Sequence, residues 1–309
     1  MLKRFALKKI LVITCSFIVL LILYFFPTTD KYNITTTLTY TTPNTLPIYL
    51  IDNNNYVSRI EVIQKSEDTL ELVDEIIKNL TIDNNTNHIP NNFKQVIPKN
   101  AKVINKDLID GLLKINFSKE LLNVSEDTEE QMIEALIYSL TEIKDINKIM
   151  IFVEGESLLT LPNSKKNLPS VLDRSYGINK VYELESMKDI SKVTTYYVSK
   201  NENYLYYTPV TTISNNKNEK VEIIIEKLKS SPTYQTNLIS YLVSSAELLD
   251  YEILENSVNL SFNNEVLSLE EDKIIEEVKY SIALSIRDTY NINETIFYVD
   301  NMLIDVFFI

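Results

Sequence analysis

Two tandem α+β units behind an apolar N-terminal segment account for the pattern of this 309-residue sequence. The first observation is a repeat. Leu113, Ile115 and Phe117, followed by Ser118 and Glu120, return as Val258, Leu260 and Phe262, followed by Asn263 and Glu265. The segments downstream of each run recur as well. Tyr138-Ser139 aligns with Tyr280-Ser281, and the run 149–153 before Glu154-Gly155 aligns with the run 294–299 before Asp300-Asn301. Two copies are too few for a solenoid, so each needs a core of its own. The second observation is periodicity. Within each copy, short segments of period 2 alternate with longer ones of period 3.6, in the order β-(β)-α-β-β-α-β, which predicts a small sheet with two helices on one face. The third is the N-terminus. Lys3, Arg4, Lys8 and Lys9 precede an uncharged run over residues 10–26.

That run approaches the length of a helix spanning a hydrocarbon core of about 30 Å. Its basic flank, residues 1–9, belongs in the cytoplasm, with the rest of the chain outside. No small-residue cleavage site follows, so the expectation is a retained transmembrane anchor over 10–26. A cleaved signal peptide and a lipoprotein signal with Cys15 as the lipidated residue are the alternatives. Residues 27–45, rich in Thr with Pro43 near the end, read as a spacer.

The first unit covers 46–156. It opens with a strand at 46–51, a turn at 52–55 and a partner strand at 57–63. A helix over 66–80 follows, capped by Ser66 or Asp68, with Leu70, Val73, Ile76, Ile77 and Leu80 on one face. Strands at 101–106 and 112–117 meet at Asp110-Gly111, a strong hairpin signal. A second helix over 125–143 begins near a capping box at Thr128, and its inward face is Met132, Ala135, Leu136, Leu140 and Ile143. The strand 148–153 closes the unit. Residues 157–190, with Pro162 and Pro169, read as a linker.

The second unit covers 191–309 in the same order. Strands at 193–198 and 204–210 precede a helix over 219–229. The hairpin 247–254 with 257–262 turns at Glu255-Asn256, where Asn takes over the positive φ that Gly would supply. A helix over 269–288 and a strand at 296–299 complete it. The apolar tail 306–309 is either a final strand or a docking peptide.

Composition narrows the chemistry. Net charge is −13, although the first nine residues carry four cations and no acid. An acidic exterior repels phosphate backbones and argues against nucleic acid. The one cysteine, Cys15, lies in the anchor, and the one histidine, His88, lies in an Asn-rich loop. This inventory points to no disulfide, no metal site and no cofactor. Three glycines cannot build a phosphate-binding loop.

Tyr196, Tyr197, Tyr204, Tyr206 and Tyr207 cluster on two adjacent strands. They read either as cross-strand packing or as a partner surface, since tyrosine is favoured in both settings. Glu154 and Glu156 flank Gly155, and with Glu120 and Asp127 they are the acids a wall hydrolase would need. Glu154 aligns with Asp300 but Glu156 aligns with Met302, so the copies share no acid pair. Solvated acids are the simpler reading.

The run 113–118, the segment 139–149, Val153-Glu154-Gly155, and the Ile97-Pro98-Lys99-Asn100 step before the hairpin together resemble the GerMN domain of sporulation and germination proteins. The segment from Leu172 to Asn179, Leu-Asp-Arg-Ser-Tyr-Gly-Ile-Asn, resembles the bridge in two-copy members. The resemblance covers nearly all of 46–301. It implies exported, membrane-tethered domains like ring-building motifs, with no catalytic residue to carry over. It also implies a scaffold or assembly role, with envelope or sporulation-complex proteins as partners and self-association among the outcomes. The competing function is a carboxylate-dependent cell-wall hydrolase or a glycan-binding protein.

Overall fold

Residue 18 and residues 44–83, 89–201, 204–230, 237–268 and 272–309 are described by a computed structural model. Apart from Ile18, the apolar run 10–26 lies outside the described residues, as do Cys15, His88 and nearly all of the spacer 27–45. Among the described residues, no helix is long and apolar enough to cross a membrane.

The first copy runs β1 (Thr45–Asp52), β2 (Val57–Ile63), α1 (Thr69–Leu80), β3 (Phe93–Lys94), β4 (Val103–Ile109), β5 (Leu112–Phe117), a 3-10 turn (Lys119–Leu122), α2 (Glu126–Leu140), β6 (Lys148–Val153) and β7 (Glu156–Ser157). Another 3-10 turn (Arg174–Tyr176) and β8 (Val181–Glu183) come next. The second copy repeats the series as β9 (Ser191–Asn201), β10 (Tyr204–Ser214), α3 (Lys220–Leu228), β11 (Leu238–Ile239), β12 (Leu248–Ile253), β13 (Ser257–Phe262), a 3-10 turn (Asn264–Val266), α4 (Glu276–Tyr290), β14 (Glu294–Val299) and β15 (Met302–Phe308).

Local chemistry sets most boundaries. Asp68 caps α1 by accepting the Glu71 N–H at 2.9 Å. Helix α2 starts earlier than the expected capping box: Ser125 is its N-cap, and its hydroxyl meets that of Thr128 at 2.7 Å. The β4–β5 turn takes Asp110 at φ 50° and Gly111 at φ 76°. A Cβ on Gly111 would sit 2.7 Å from Asn147 Nδ2, so space and φ both demand glycine. The second hairpin departs from expectation. Glu255 and Asn256 both keep negative φ, and the turn closes through the Leu254 N–H on Ser257 O at 2.9 Å.

The sheets also depart from expectation. Each copy does not keep its strands in one small sheet. A four-stranded sheet β4-β5-β6-β7 forms from the first copy and β12-β13-β14-β15 from the second, each with one parallel pair, β5 with β6 and β13 with β14. The opening hairpins instead join in a single sheet ordered β11-β9-β10-β2-β1-β3, with β8 parallel to β10. The reason is that β2 and β10 each have a free edge, and the two edges satisfy one another. They pair antiparallel at Tyr207 and Arg59. Pro209 has no N–H to continue the ladder. Asn179 fills the gap: its Oδ1 accepts the Val57 N–H at 2.9 Å, and its Nδ2 donates to Val57 O at 2.8 Å and Pro209 O at 2.7 Å.

Two apolar clusters form. The first, built mainly from the first copy, also takes in Tyr196, Tyr206 and Leu284 of the second. The other belongs almost wholly to the second copy. Leu161, Leu168, Leu172 and Ile178, between the copies, are buried in the first cluster. The tail is strand β15, antiparallel to β14.

Candidate functional site

The tyrosine cluster lies largely inside. Tyr196, Tyr197 and Tyr206 are at most 3% exposed, because β9 and β10 are interior strands of the joined sheet with α3 and α4 packed on β9. Tyr206 donates to Asp52 Oδ2 at 2.9 Å, and Tyr197 to Lys227 O at 3.4 Å. Half-buried Tyr207 stacks on Tyr280 with ring centres 5.5 Å apart. Tyr204 is exposed. Three of the five rings are thus occupied inside the fold: Tyr196 and Tyr206 pack between the two copies, and Tyr197 packs within the second copy's own cluster.

What those rings approach is a buried charged seam. In the first copy, Ser139 near the end of α2 accepts the Tyr49 N–H at 2.9 Å. In the second, Ser285 of α4 accepts the Tyr196 N–H at 2.9 Å. These matching bonds make Ser285 the counterpart of Ser139. Pairing Tyr138-Ser139 with Tyr280-Ser281 slips the helices by one turn. With the slip removed, Glu142 and Asp288 fall at equivalent places, just beyond α2 and in the last turn of α4. Tyr49 donates to Glu142 Oε1 at 2.8 Å, and Tyr196 to Asp288 Oδ2 at 2.6 Å. The two hydroxyls lie 2.9 Å apart.

Arg174, from the 3-10 turn between the copies, ties both halves. Its Nη2 donates to Glu142 Oε1 at 2.7 Å and to Tyr138 O at 3.1 Å, while its Nη1 bonds Asp288. Its Nε donates to Thr141 Oγ1 at 2.9 Å, and its guanidinium lies over the Tyr138 ring at 4.8 Å. Arg287 grips Glu142 with two bonds, at 2.8 and 3.0 Å. Burial alone would raise the Glu142 pKa, but Arg287, Arg174 and Arg59 outweigh it and hold the carboxyl well below the usual carboxylate range. Tyr49 is pushed up to about 12, first by burial and then by Glu142.

The candidate acids stand apart from this seam. Glu154 and Glu156 are exposed on the β6–β7 turn, and Glu154 Oε1 accepts the Lys119 N–H at 2.9 Å. Glu120 is half-buried and Asp127 exposed. Among the described residues, no group of three or more His, Cys, Asp or Glu side chains is placed to hold a metal ion. Sequence reasoning did not single out Arg174, Arg287, Glu142 or Asp288. The available signal was an acid at matching positions after each second-helix serine, together with an arginine in the bridge segment.

Comparison with known proteins places this geometry. Residues 47–159 match the family described as Germane, sporulation and spore germination. The spore germination protein GerM of Bacillus subtilis (strain 168) is 28% identical over 252 residues, which span 78% of this chain and 67% of that protein. The solved structure of the tandem GerMN domains of the sporulation protein GerM from Bacillus subtilis superposes with a TM-score of 0.74 at 25% identity, covering 83% of this chain and 91% of that one. Residues 47–159 thus match the family model, and across both copies and the joint between them the chain is similar to the tandem GerMN domains of GerM.

Proposed function

We propose that the chain is a membrane-anchored, extracytoplasmic assembly module of sporulation or germination envelope complexes, acting as a scaffold rather than an enzyme. The observation that carries this reading is the joined sheet with its buried seam. It makes the two domains a single rigid body suited to presenting surfaces at fixed positions. The likeness to GerM across both domains supports the sporulation context. In this reading, residues 10–26 anchor the chain, 27–45 space it from the membrane, and 46–156 and 191–309 are the domains on either side of the segment 157–190. The partners are envelope or sporulation-complex proteins, and self-association is part of the same reading.

The test has two parts. Protease added to intact protoplasts should remove the domains while leaving a short membrane-bound fragment. Protection of the domains, or a soluble form beginning near Pro27, would overturn the anchored arrangement. The purified chain should release no fragments from cell wall, and Glu154→Gln should leave its cellular role intact. Wall cleavage abolished by Glu154→Gln would overturn the scaffold reading.

A further inference from the structure

A cleft of about 510 Å³ opens in the second copy between α3 and β12. Ile225, Leu248 and Leu249 make its apolar part, and Leu249 is 58% exposed. Glu222, Glu226, Glu247 and Asp250 line it as well, and Lys229 is the cation among the lining residues. Among the described residues, none of those four carboxylates has an ion-pair partner. Neighbouring charges do not redress the excess: Lys220 follows Glu219, Lys227 is bound to Glu183 at 2.7 Å, and β12 adds Glu252. The acids also do not converge on a point, since among the described residues no three of them are placed to hold a metal ion.

The first copy shows what belongs there. Val103 and Leu248 pair with the matching Phe117 and Phe262, and a bulge follows each, so Lys106 of β4 stands where Tyr251 stands in β12. Buried Val73, Ile76, Ile77 and Leu80 of α1 have the spacing of Val221, Ile224, Ile225 and Leu228 of α3, so Asp74 stands where Glu222 stands. The Lys106 side chain, 17% exposed, ion-pairs with Asp74 and donates to Leu70 O at 2.7 Å. An ammonium on an aliphatic stem thus fills the gap between helix and edge strand. In the second copy, Tyr251 reaches Glu222 only by a 3.3 Å hydrogen bond from its hydroxyl, and brings no charge. The carboxylate is kept and its cation is gone. The same alignment sets Lys78 against Glu226 and Lys102 against Glu247, so two further cations of the first copy are acids in the second.

We propose that this cleft is a docking site for a lysine-bearing segment of a partner polypeptide, whose ammonium sits beside Glu222 as that of Lys106 sits beside Asp74. Glu226, Glu247 and Asp250 spread the negative charge along the cleft, which suits a segment with more than one cation. An apolar side chain next to the lysine covers Leu249, exposed on the edge strand β12. This docking site rests on the assembly reading for its biological setting but not for its chemistry: peptide binding, protoplast protection and wall cleavage succeed or fail separately.

The experiment uses the full-length chain in nonionic detergent and a fluorescein-labelled peptide of alternating lysine and leucine, followed by fluorescence anisotropy. Sodium chloride at about 0.15 M screens exposed charges beyond about 8 Å, so overall acidity alone gives little binding. The expected result is saturable binding of this peptide and none of its glutamate-leucine counterpart. Tyr251→Lys returns to the second copy the lysine that the first copy carries; it should fill the cleft and weaken binding about tenfold or more. Glu222→Gln combined with Glu226→Gln should weaken it similarly, and tests the site even if Tyr251→Lys fails to fold. Glu67→Gln, at an exposed acid of the first copy, changes the net charge by as much as Tyr251→Lys and should leave binding unaltered. Absence of saturable binding, binding undiminished by the cleft variants, or equal weakening by Glu67→Gln would overturn the proposal. Sedimentation of the chain alone supplies the last outcome: self-association abolished by Tyr251→Lys would make a second copy the occupant in place of a separate partner, and would overturn it too.

Discussion

Arg174 is the residue on which the seam turns. Removing it leaves Glu142 and Asp288 buried with fewer partners, and breaking a buried ion pair from one side costs about 3–5 kcal/mol. Arg174→Ala should therefore lower the unfolding free energy read from urea melts by that amount. Arg174→Lys should recover little, because an ammonium cannot serve Thr141, Glu142 and Asp288 together. Glu142 gives the seam a pH dependence whose sign follows from its lowered pKa. A carboxylate depressed in the folded state contributes stability that is fully present above its unfolded pKa of about 4.3 and is lost as pH falls toward the folded value. Thermal midpoints should drop as pH falls below about 4.3, and Glu142→Gln should flatten that drop while lowering stability at neutral pH. Glu134 works in the opposite sense, since burial raises its pKa against the pull of Lys180. None of this was legible from composition. In an acidic chain, each acid reads as solvated, and only the fold brings 142, 174, 287 and 288 to one place. The tyrosines left packing and partner surface both open for a related reason: period 2 shows that a strand has two faces, without saying that both faces of β9 and β10 are covered.

Two serine hydroxyls pin the second helix of each copy to its opening hairpin. Strand β3 pairs with β1 only at Ile51 and Asp52, and β11 with β9 only at Ser199 and Val198. The Tyr49 and Tyr196 N–H groups lie past those short partners and find Ser139 and Ser285 instead. Ser139→Ala and Ser285→Ala should each cost about 1–3 kcal/mol, the penalty of an orphaned buried donor. The double variant should be additive only if the helices are uncoupled, so denaturant melts of both singles and the double measure the coupling across the seam. Elements were the scale at which the sequence spoke most plainly. The apolar faces of α1 and α2 are buried at Val73, Ile76, Ile77, Leu80, Met132, Leu136 and Leu140 as periodicity indicates. Strand β13 and the bounds of β6 agree to the residue. Sheet membership was not legible, because alternation in β2 and β10 marks faces and carries no record of which edge each strand will meet.

Residues Pro43–Ile309 form one compact unit, with a sheet and a charged seam running through both domains. Calorimetry should record a single unfolding transition for this region, with equal calorimetric and van't Hoff enthalpies. Two resolved transitions would mean that the joint is weaker than its contacts suggest. The order of the joined sheet has one more consequence. Its sequence reads the same from either end once each strand is replaced by its counterpart: β11 for β3, β9 for β1, β10 for β2. At its middle, Ser58 Oγ meets its own counterpart, Thr208 Oγ1, at 2.7 Å, as Tyr49 meets Tyr196. A contact in which each residue faces its equivalent is isologous, the kind that closes a twofold dimer and then offers nothing further to add to. This polypeptide is in effect a dimer fused into one chain, and it has consumed its own dyad. A head-to-tail array of such chains would have to grow from faces that differ between its halves. One such difference is on hand: the first copy ends in the two-residue β7, and the second in the seven-residue edge β15, with Met302, Leu303 and Phe308 exposed. Growth from unlike ends would run head to tail, with a direction along the array, and that polarity would be inherited from a duplication whose two products no longer finish alike.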